Sequence, residues 1–247
     1  MKTLLVGSVL SALCVSVACV APAVADQITF VSQGGAYQEA QTKAILDPAA
    51  KRLNITIKQD SVPDAWPMVK AQGETGKPIW DVIDTPTSNC LRGGREGLIE
   101  PLDLSKIPNA EKMPAAYRTP YSVAYEFYSS VLAYNTKALK KVPQSWADFW
   151  DVKDFPGTRA LRNDPMGTLE AALLSDGVPR DKLYPLDVDR AYKRLKQIKP
   201  DIAVWWSSGG QSAQLLSDGE VDMLMMWNGR VGAVHKEKPE MDFTYND

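Results

Sequence analysis

An almost unbroken apolar run, Leu4 to Val20, follows Lys2 and gives way to Ala21-Pro22-Ala23-Val24-Ala25, with alanines one and three positions before Asp26. A charged start, an apolar middle and an A-x-A site are the layout of a cleavable secretory signal, so residues 1–25 are expected to be removed. A membrane anchor would also be apolar, but polar sequence begins at once and no positive flank follows. Beyond Asp26 the pattern turns periodic. Gln27 to Val31 reads as a strand, Gly34-Gly35 as a turn, and Ala36 to Leu53 as a helix with Ala40, Ala44 and Ile45 on one side. Ile55 and Ile57 alternate within Asn54 to Lys58, completing a β-α-β unit. A helix from Asp64 to Gln72 is ended by Gly73 and Gly76, and the apolar strand Trp80 to Asp84 runs into the polar loop Thr85-Pro86-Thr87-Ser88-Asn89.

Tyr121 to Asn135 is long, aromatic and β-branched, and reads as an extended crossing from one lobe to another. The β/α rhythm then restarts. Ser145 caps a short helix with Asp148 at the reciprocal position, Arg159 to Leu161 is a strand, and Thr168 to Ser175 is helical before Gly177. Asp187 to Lys199 carries Val188, Ala191, Tyr192, Leu195 and Ile198 on one stripe, with Pro200 as the stop. Ala203 to Trp206 and Val221 to Met226 are buried-type strands, separated by a helix that Gly219 closes. Alternating strands and helices predict an α/β fold with mostly parallel sheets covered on both faces. The expected organisation is a first lobe over 26–132, a second over 133–240, and a return crossing starting in 241–247, with ligand space at the strand ends between the lobes.

Composition narrows the function. Removal of Lys2 with the signal leaves 27 basic against 30 acidic residues, a formal charge of −3. Nucleic acid is therefore not an expected partner. Cys14 and Cys19 leave with the signal, so Cys90 is the single remaining thiol and no internal disulfide forms. Lipid attachment at Cys19 is a minor alternative, because Ser16 stands where an aliphatic residue is preferred. His235 is the single histidine and sits in a charged stretch, which excludes multi-histidine metal sites and argues against histidine-based nucleophile relays.

Four constellations carry candidate chemistry. In Ser32-Gln33-Gly34-Gly35-Ala36-Tyr37 the paired glycines let backbone approach a ligand, and Tyr37 adds a flat face; the alternative is an ordinary strand-to-helix turn. Thr87 and Ser88 offer hydroxyls at an equivalent strand end, or simply a cap. Asp164 falls at the end of a strand, where a carboxylate meets an ammonium group or caps a helix, whereas Glu170 reads as structural. Trp206, and Trp227-Asn228-Gly229-Arg230, place indoles beside polar groups at two further strand ends, which suits a protonated aliphatic amine. A secreted hydrolase using Asp164 and Glu170 as acid and base is the competing class, weakened by their sitting six residues apart at one junction.

Gly34-Gly35-x-Tyr37, Trp80-Asp81-Val82-Ile83-Asp84 and Glu96-Gly97-Leu98-Ile99-Glu100-Pro101-Leu102-Asp103 resemble the first lobe of family 1 extracellular solute-binding proteins. Trp146-Ala147-Asp148-Phe149-Trp150-Asp151-Val152, Phe155-Pro156-Gly157, Arg159-Ala160-Leu161-Arg162, Tyr184-Pro185-Leu186-Asp187 and Trp227-Asn228-Gly229-Arg230 resemble its spermidine/putrescine-binding-like branch. The resemblance implies a type II periplasmic-binding-protein fold with mixed sheets and hinge closure over a ligand. It also implies a monomer, periplasmic location, no cofactor or metal, and delivery of a small solute to an ABC permease with its ATPase. By the same resemblance Thr87 and Ser88 supply cleft hydroxyls, Asp164 the amine-facing acid and Trp227 the stacking indole. A polyamine is the expected ligand. The departure at Ser32-Gln33-Gly34, where polyamine binders carry tryptophan, keeps γ-aminobutyrate or another amino-acid derivative as the alternative, its carboxylate held by Arg230 or the Gly34-Gly35 helix end. A metal receptor built on tyrosine pairs is disfavoured, because Tyr117, Tyr121, Tyr125, Tyr128 and Tyr134 are scattered. Members of the family also continue past Asp247, so the chain is expected to be a fragment.

Overall fold

The computed structural model describes residues 26–246, so the signal segment with Cys14 and Cys19 lies outside the described residues. The N-terminal part builds a small parallel sheet in which β1 (Gln27–Ser32) lies between β2 (Thr56–Ser61) and β3 (Val82–Ile83). Helix runs without a break from β1 towards β2: α1 (Gly35–Gln41), a π-helical stretch Thr42–Leu46, and α2 (Asp47–Leu53). The side chains it buries are Gln38, Gln41 and Leu46, while Ala40, Ala44 and Ile45, the expected inner stripe, are exposed. A π-helical turn is wider than an α-helical one and rotates the residues that follow it off the 3.6-residue phase. The two buried glutamines are tolerated because both are hydrogen-bonded.

α3 (Trp66–Thr75) ends at Gly76, whose φ of +64° suits glycine. Gly73, read as part of that stop, lies inside the helix; a Cβ there would come within 2.3 Å of Leu98 Cδ2, so close packing explains it. The strand expected over Trp80 to Asp84 shrinks to β3, because Trp80 turns into the small core and donates its indole N–H to Asp60 at 2.8 Å. α4 (Thr87–Arg95) follows, then a two-stranded hairpin of β4 (Arg118–Thr119) and β5 (Ser122–Val123).

The expected crossing is extended from residue 124 to 129 and continues as β6 (Ser130–Asn135), the first strand of a second sheet. Its other elements are α5 (Trp146–Trp150), β7 (Arg159–Arg162), α6 (Pro165–Ser175), α7 (Val188–Ile198), β8 (Ile202–Trp206), α8 (Gly209–Ser217), β9 (Met223–Trp227), α9 (Asn228–Glu237) and β10 (Met241–Thr244). The strand order is β10-β6-β9-β7-β8. β7 runs parallel to both neighbours and β6 antiparallel to both of its own, so this sheet is mixed and not mostly parallel. The boundary drawn after residue 132 falls inside β6, and residues 241–244, assigned to a return crossing, pair with β6 as an edge strand. On α7, Ala191, Leu195 and Ile198 are buried, whereas Val188 and Tyr192 face outward. Helices over the sheet enclose one apolar core that includes Phe149, Leu161, Leu173, Leu216, Leu224 and Met226. The C-terminal ends of β1, β3, β7 and β9 open towards a shared cleft, the place where open α/β sheets bind ligands.

Candidate ligand-binding cleft

The cleft between the lobes has a volume of about 2120 Å³, more than a small solute fills, because it runs on along the small lobe past Val62, Val69 and Leu98. Its polar part lies where β1, β3, β7, β9 and the crossing converge.

Trp206 and Trp227 divide the work on the large lobe. Trp206 has no exposed surface and donates its indole N–H to the Met225 carbonyl at 3.0 Å. It is a core residue, and its assignment to ligand contact is corrected: the alternation along β8 turns it inward. Trp227 stands in front of it, edge-on at 5.6 Å, and meets Tyr128 at 6.1 Å on its other side. The Arg162 guanidinium lies 5.1 Å from the Trp227 ring and that of Arg230 5.8 Å from it, an aromatic face flanked by two cations. Room for this stack depends on Gly209, where a Cβ would lie 2.1 Å from Arg230 Nε and 2.6 Å from Trp227 Cζ3.

The two arginines differ in their partners. Arg162 is 3.4 Å from the Asp164 carboxylate. Asp164 also caps α6 by accepting from the Met166 N–H at 2.8 Å, so this cleft-lining acid is committed on both oxygens. Arg230 has no salt bridge among the described residues, and its Nη2 is buried with no hydrogen-bond partner. Burial pushes its pKa down from the usual arginine value. A desolvated guanidinium with an open fork fits a carboxylate.

The small-lobe wall is a hydrogen-bond network. Ser32 Oγ lies 2.7 Å from Gln41 Oε1 and 2.8 Å from Asp84 Oδ2, and Gln41 Nε2 donates to Asp84 Oδ2 at 3.0 Å. Gln41 also donates to the Tyr125 hydroxyl, which lies 2.8 Å from that of Tyr37. The Tyr37 hydroxyl donates to Glu126. Burial holds the Glu126 carboxyl above its ordinary value, with Asp84 adding repulsion against the lowering effect of the Tyr37 hydrogen bond. The Tyr37 and Tyr125 hydroxyls are pushed up, chiefly by burial, and stay protonated.

Tyr37 and Thr87 line the cleft; Ser88 is exposed and lies off its wall. The Gly34 N–H, expected to be free for a ligand, is taken by the Gln38 side chain at 3.0 Å. Gly35 remains close to the site, its missing Cβ position 3.6 Å from Arg230 Nη1. Asn228 accepts from the Ser129 N–H at 2.9 Å and donates to the Tyr245 hydroxyl at 3.2 Å; it fastens the crossing to α9 and does not line the cleft. Sequence reasoning missed Asp84, Tyr125, Glu126, Tyr128 and Arg162, all of which line it. Asp84 and Arg162 carried a signal as charges at strand ends; the crossing residues carried none. Glu170, the second member of the competing acid-base pair, accepts from the Gly167 N–H at 2.8 Å and from the Tyr184 hydroxyl at 2.9 Å, a structural role.

Comparison with known proteins agrees with this architecture. An ABC transporter substrate-binding protein from Bradyrhizobium japonicum USDA 110 superposes with a TM-score of 0.82 at 72% identity, covering 89% of this chain and 69% of that one. The gamma-aminobutyric acid-binding protein of Pseudomonas aeruginosa is 38% identical over 225 residues, 89% of this chain and 64% of the relative. The spermidine/putrescine-binding periplasmic protein 1 of Haemophilus influenzae is 27% identical over 212 residues, 81% of this chain and 58% of the relative. The chain thus spans less than two thirds of the curated relatives it matches. Residues 29–246 match the family described as bacterial extracellular solute-binding protein, and the chain belongs to that family.

Proposed function

We propose that the protein is the periplasmic solute-capturing subunit of an ABC importer, handing its ligand to a permease driven by a separate ATPase, and that the ligand is a small amine bearing a carboxylate, such as γ-aminobutyrate. The observation that carries the carboxylate is Arg230: a desolvated guanidinium between Trp227 and Tyr37, with Nη2 buried and unpartnered. A cation left so is costly, and a ligand carboxylate relieves that cost when the lobes close. Asp84 supplies negative charge for the amine on the same cleft. The gamma-aminobutyric acid-binding relative supports the same reading.

Calorimetric titration with γ-aminobutyrate, putrescine and spermidine tests it. Saturation with γ-aminobutyrate at a hundred times its Kd is expected to add about 2.7 kcal/mol of stability without turnover. Arg230→Met keeps the stem and removes the fork, and is expected to weaken γ-aminobutyrate binding about a hundredfold. A second reading, the polyamine, rests on the two cleft carboxylates Asp84 and Glu126. Tight putrescine binding that Arg230→Met leaves unchanged would establish it and overturn the first.

A further inference from the structure

The crossing changes allegiance within three residues. Glu126 is bonded to the small lobe through the Tyr37 hydroxyl. Tyr128 packs on Trp227 of the large lobe, and Ser129 exchanges hydrogen bonds with Asn228, its carbonyl accepting from the Asn228 N–H at 3.0 Å. Between them Phe127 is 68% exposed and touches Tyr117 edge-on at 4.7 Å. Tyr37 reaches back to the large lobe, its ring 6.0 Å from the Arg230 guanidinium, which in turn sits on Trp227. Trp227, Arg230, Tyr37, Glu126 and Tyr128 therefore form a closed circuit of contacts on either side of Phe127.

Proton counting gives the circuit a direction. A tyrosine hydroxyl has one proton, and an ionised carboxylate only accepts. With Glu126 ionised, Tyr37 spends its proton on Glu126, Tyr125 donates to Tyr37, and Gln41 donates to Tyr125. The Tyr37 hydroxyl thus has no proton left to donate to a ligand, while its ring stays exposed to the cleft. Two bonds at the hydroxyl fix the direction in which that ring faces Arg230.

We infer that Glu126 is a positioning residue for ligand capture: through the Tyr37 hydroxyl it sets the ring that meets Arg230, and so couples the crossing to the contact between the lobes. This rests on the reading of Arg230 as the ligand's carboxylate partner. Without Glu126 the ring and the crossing lose one of their two common anchors, Tyr125 being the other, and the arrangement in which Tyr37 meets Arg230 loses occupancy before any ligand arrives, which lowers apparent affinity in proportion.

The test pairs Glu126→Gln with Tyr37→Phe in the full-length protein. Each is expected to weaken γ-aminobutyrate binding about tenfold, the size of one charge-assisted hydrogen bond, and the double variant to be no weaker than either single one. Effects that multiply in the double variant, or wild-type affinity in both single variants, would overturn the inference. A ligand-free readout separates it from the reading it rests on. Spin labels at Lys58→Cys and Lys193→Cys, exposed sites on β2 and α7 in a Cys90→Ser background, report the distance between lobes. Glu126→Gln is expected to broaden that distribution towards longer distances, and an unchanged distribution sinks the inference whatever ligand the protein binds. Loss of the Arg230→Met effect with the distance change intact would instead remove the carboxylate reading and leave the coupling standing.

Discussion

The five-stranded sheet is wrapped in one continuous apolar core reaching from Val131 to Met241, whereas the three-stranded sheet rests on Val31, Val69 and Trp80. Ile45, Ile79 and Val82 of the small lobe are exposed, while Leu161, Leu224 and Met226 under the large lobe's wall have no exposed surface. The two walls of the cleft inherit this difference. Trp227 and Arg230 stand on a tightly packed base and are placed by sterics, down to the glycine that makes room for them. Tyr37, Asp84 and Glu126 are placed by hydrogen bonds among Ser32, Gln41 and Tyr125. A face placed by packing, which carries the open cation, thus opposes a face placed by a hydrogen-bond network.

The largest expected effect breaks the packed side. Leu224→Ala, at a fully buried position of β9, is expected to cost about 3 kcal/mol in urea unfolding followed by tryptophan fluorescence. A loss confined to the small lobe would contradict the contrast. Asp60→Ala comes next. It strands the buried Trp80 indole donor and is expected to cost about 2 kcal/mol, felt first in the small lobe. Cys90 reports this. It is buried on α4, and burial pushes its thiol pKa up, so it stays protonated and slow towards iodoacetamide until the small lobe opens. Labelling in Asp60→Ala should set in at lower urea than the tryptophan transition; coincident curves would mean that the lobes unfold as one. Asp187→Ala removes the acceptor of the Arg190 N–H at 3.0 Å and should cost about 1 kcal/mol on the large-lobe side. Lys137→Ala is the smallest: its 3.1 Å ion pair with Glu240 is largely exposed on the lysine side, and a loss below about 0.5 kcal/mol is expected.

The elements were largely legible because periodicity and punctuation are local. Ser145 does cap its helix, and Gly76 and Gly219 do stop theirs at positive φ. Errors arose where the helical period itself changed, as at the π-helical stretch that turned Ala40, Ala44 and Ile45 outward, and where a strand residue such as Trp80 left the ladder for the core. The site was half legible. Trp227, Arg230 and Tyr37, which line the cleft, stood out as aromatic and charged residues at strand ends. Trp206 is equally aromatic but faces inward, and Glu126 stands in an extended crossing without a pattern.

By itself the sequence determined the alternation of strands and helices, the caps and stops, and the concentration of indole, arginine and carboxylate groups at strand ends, because each depends on neighbours a few positions away. Only the tertiary structure decided which of those groups meet. Arg162 takes Asp164 as its partner and leaves Arg230 open; the Tyr37 hydroxyl donates to Glu126, 89 positions away; and Arg230 crosses to Tyr37. Such encounters are set by strand order and by the path of the crossing, and a one-residue change in either would send the same side chains elsewhere.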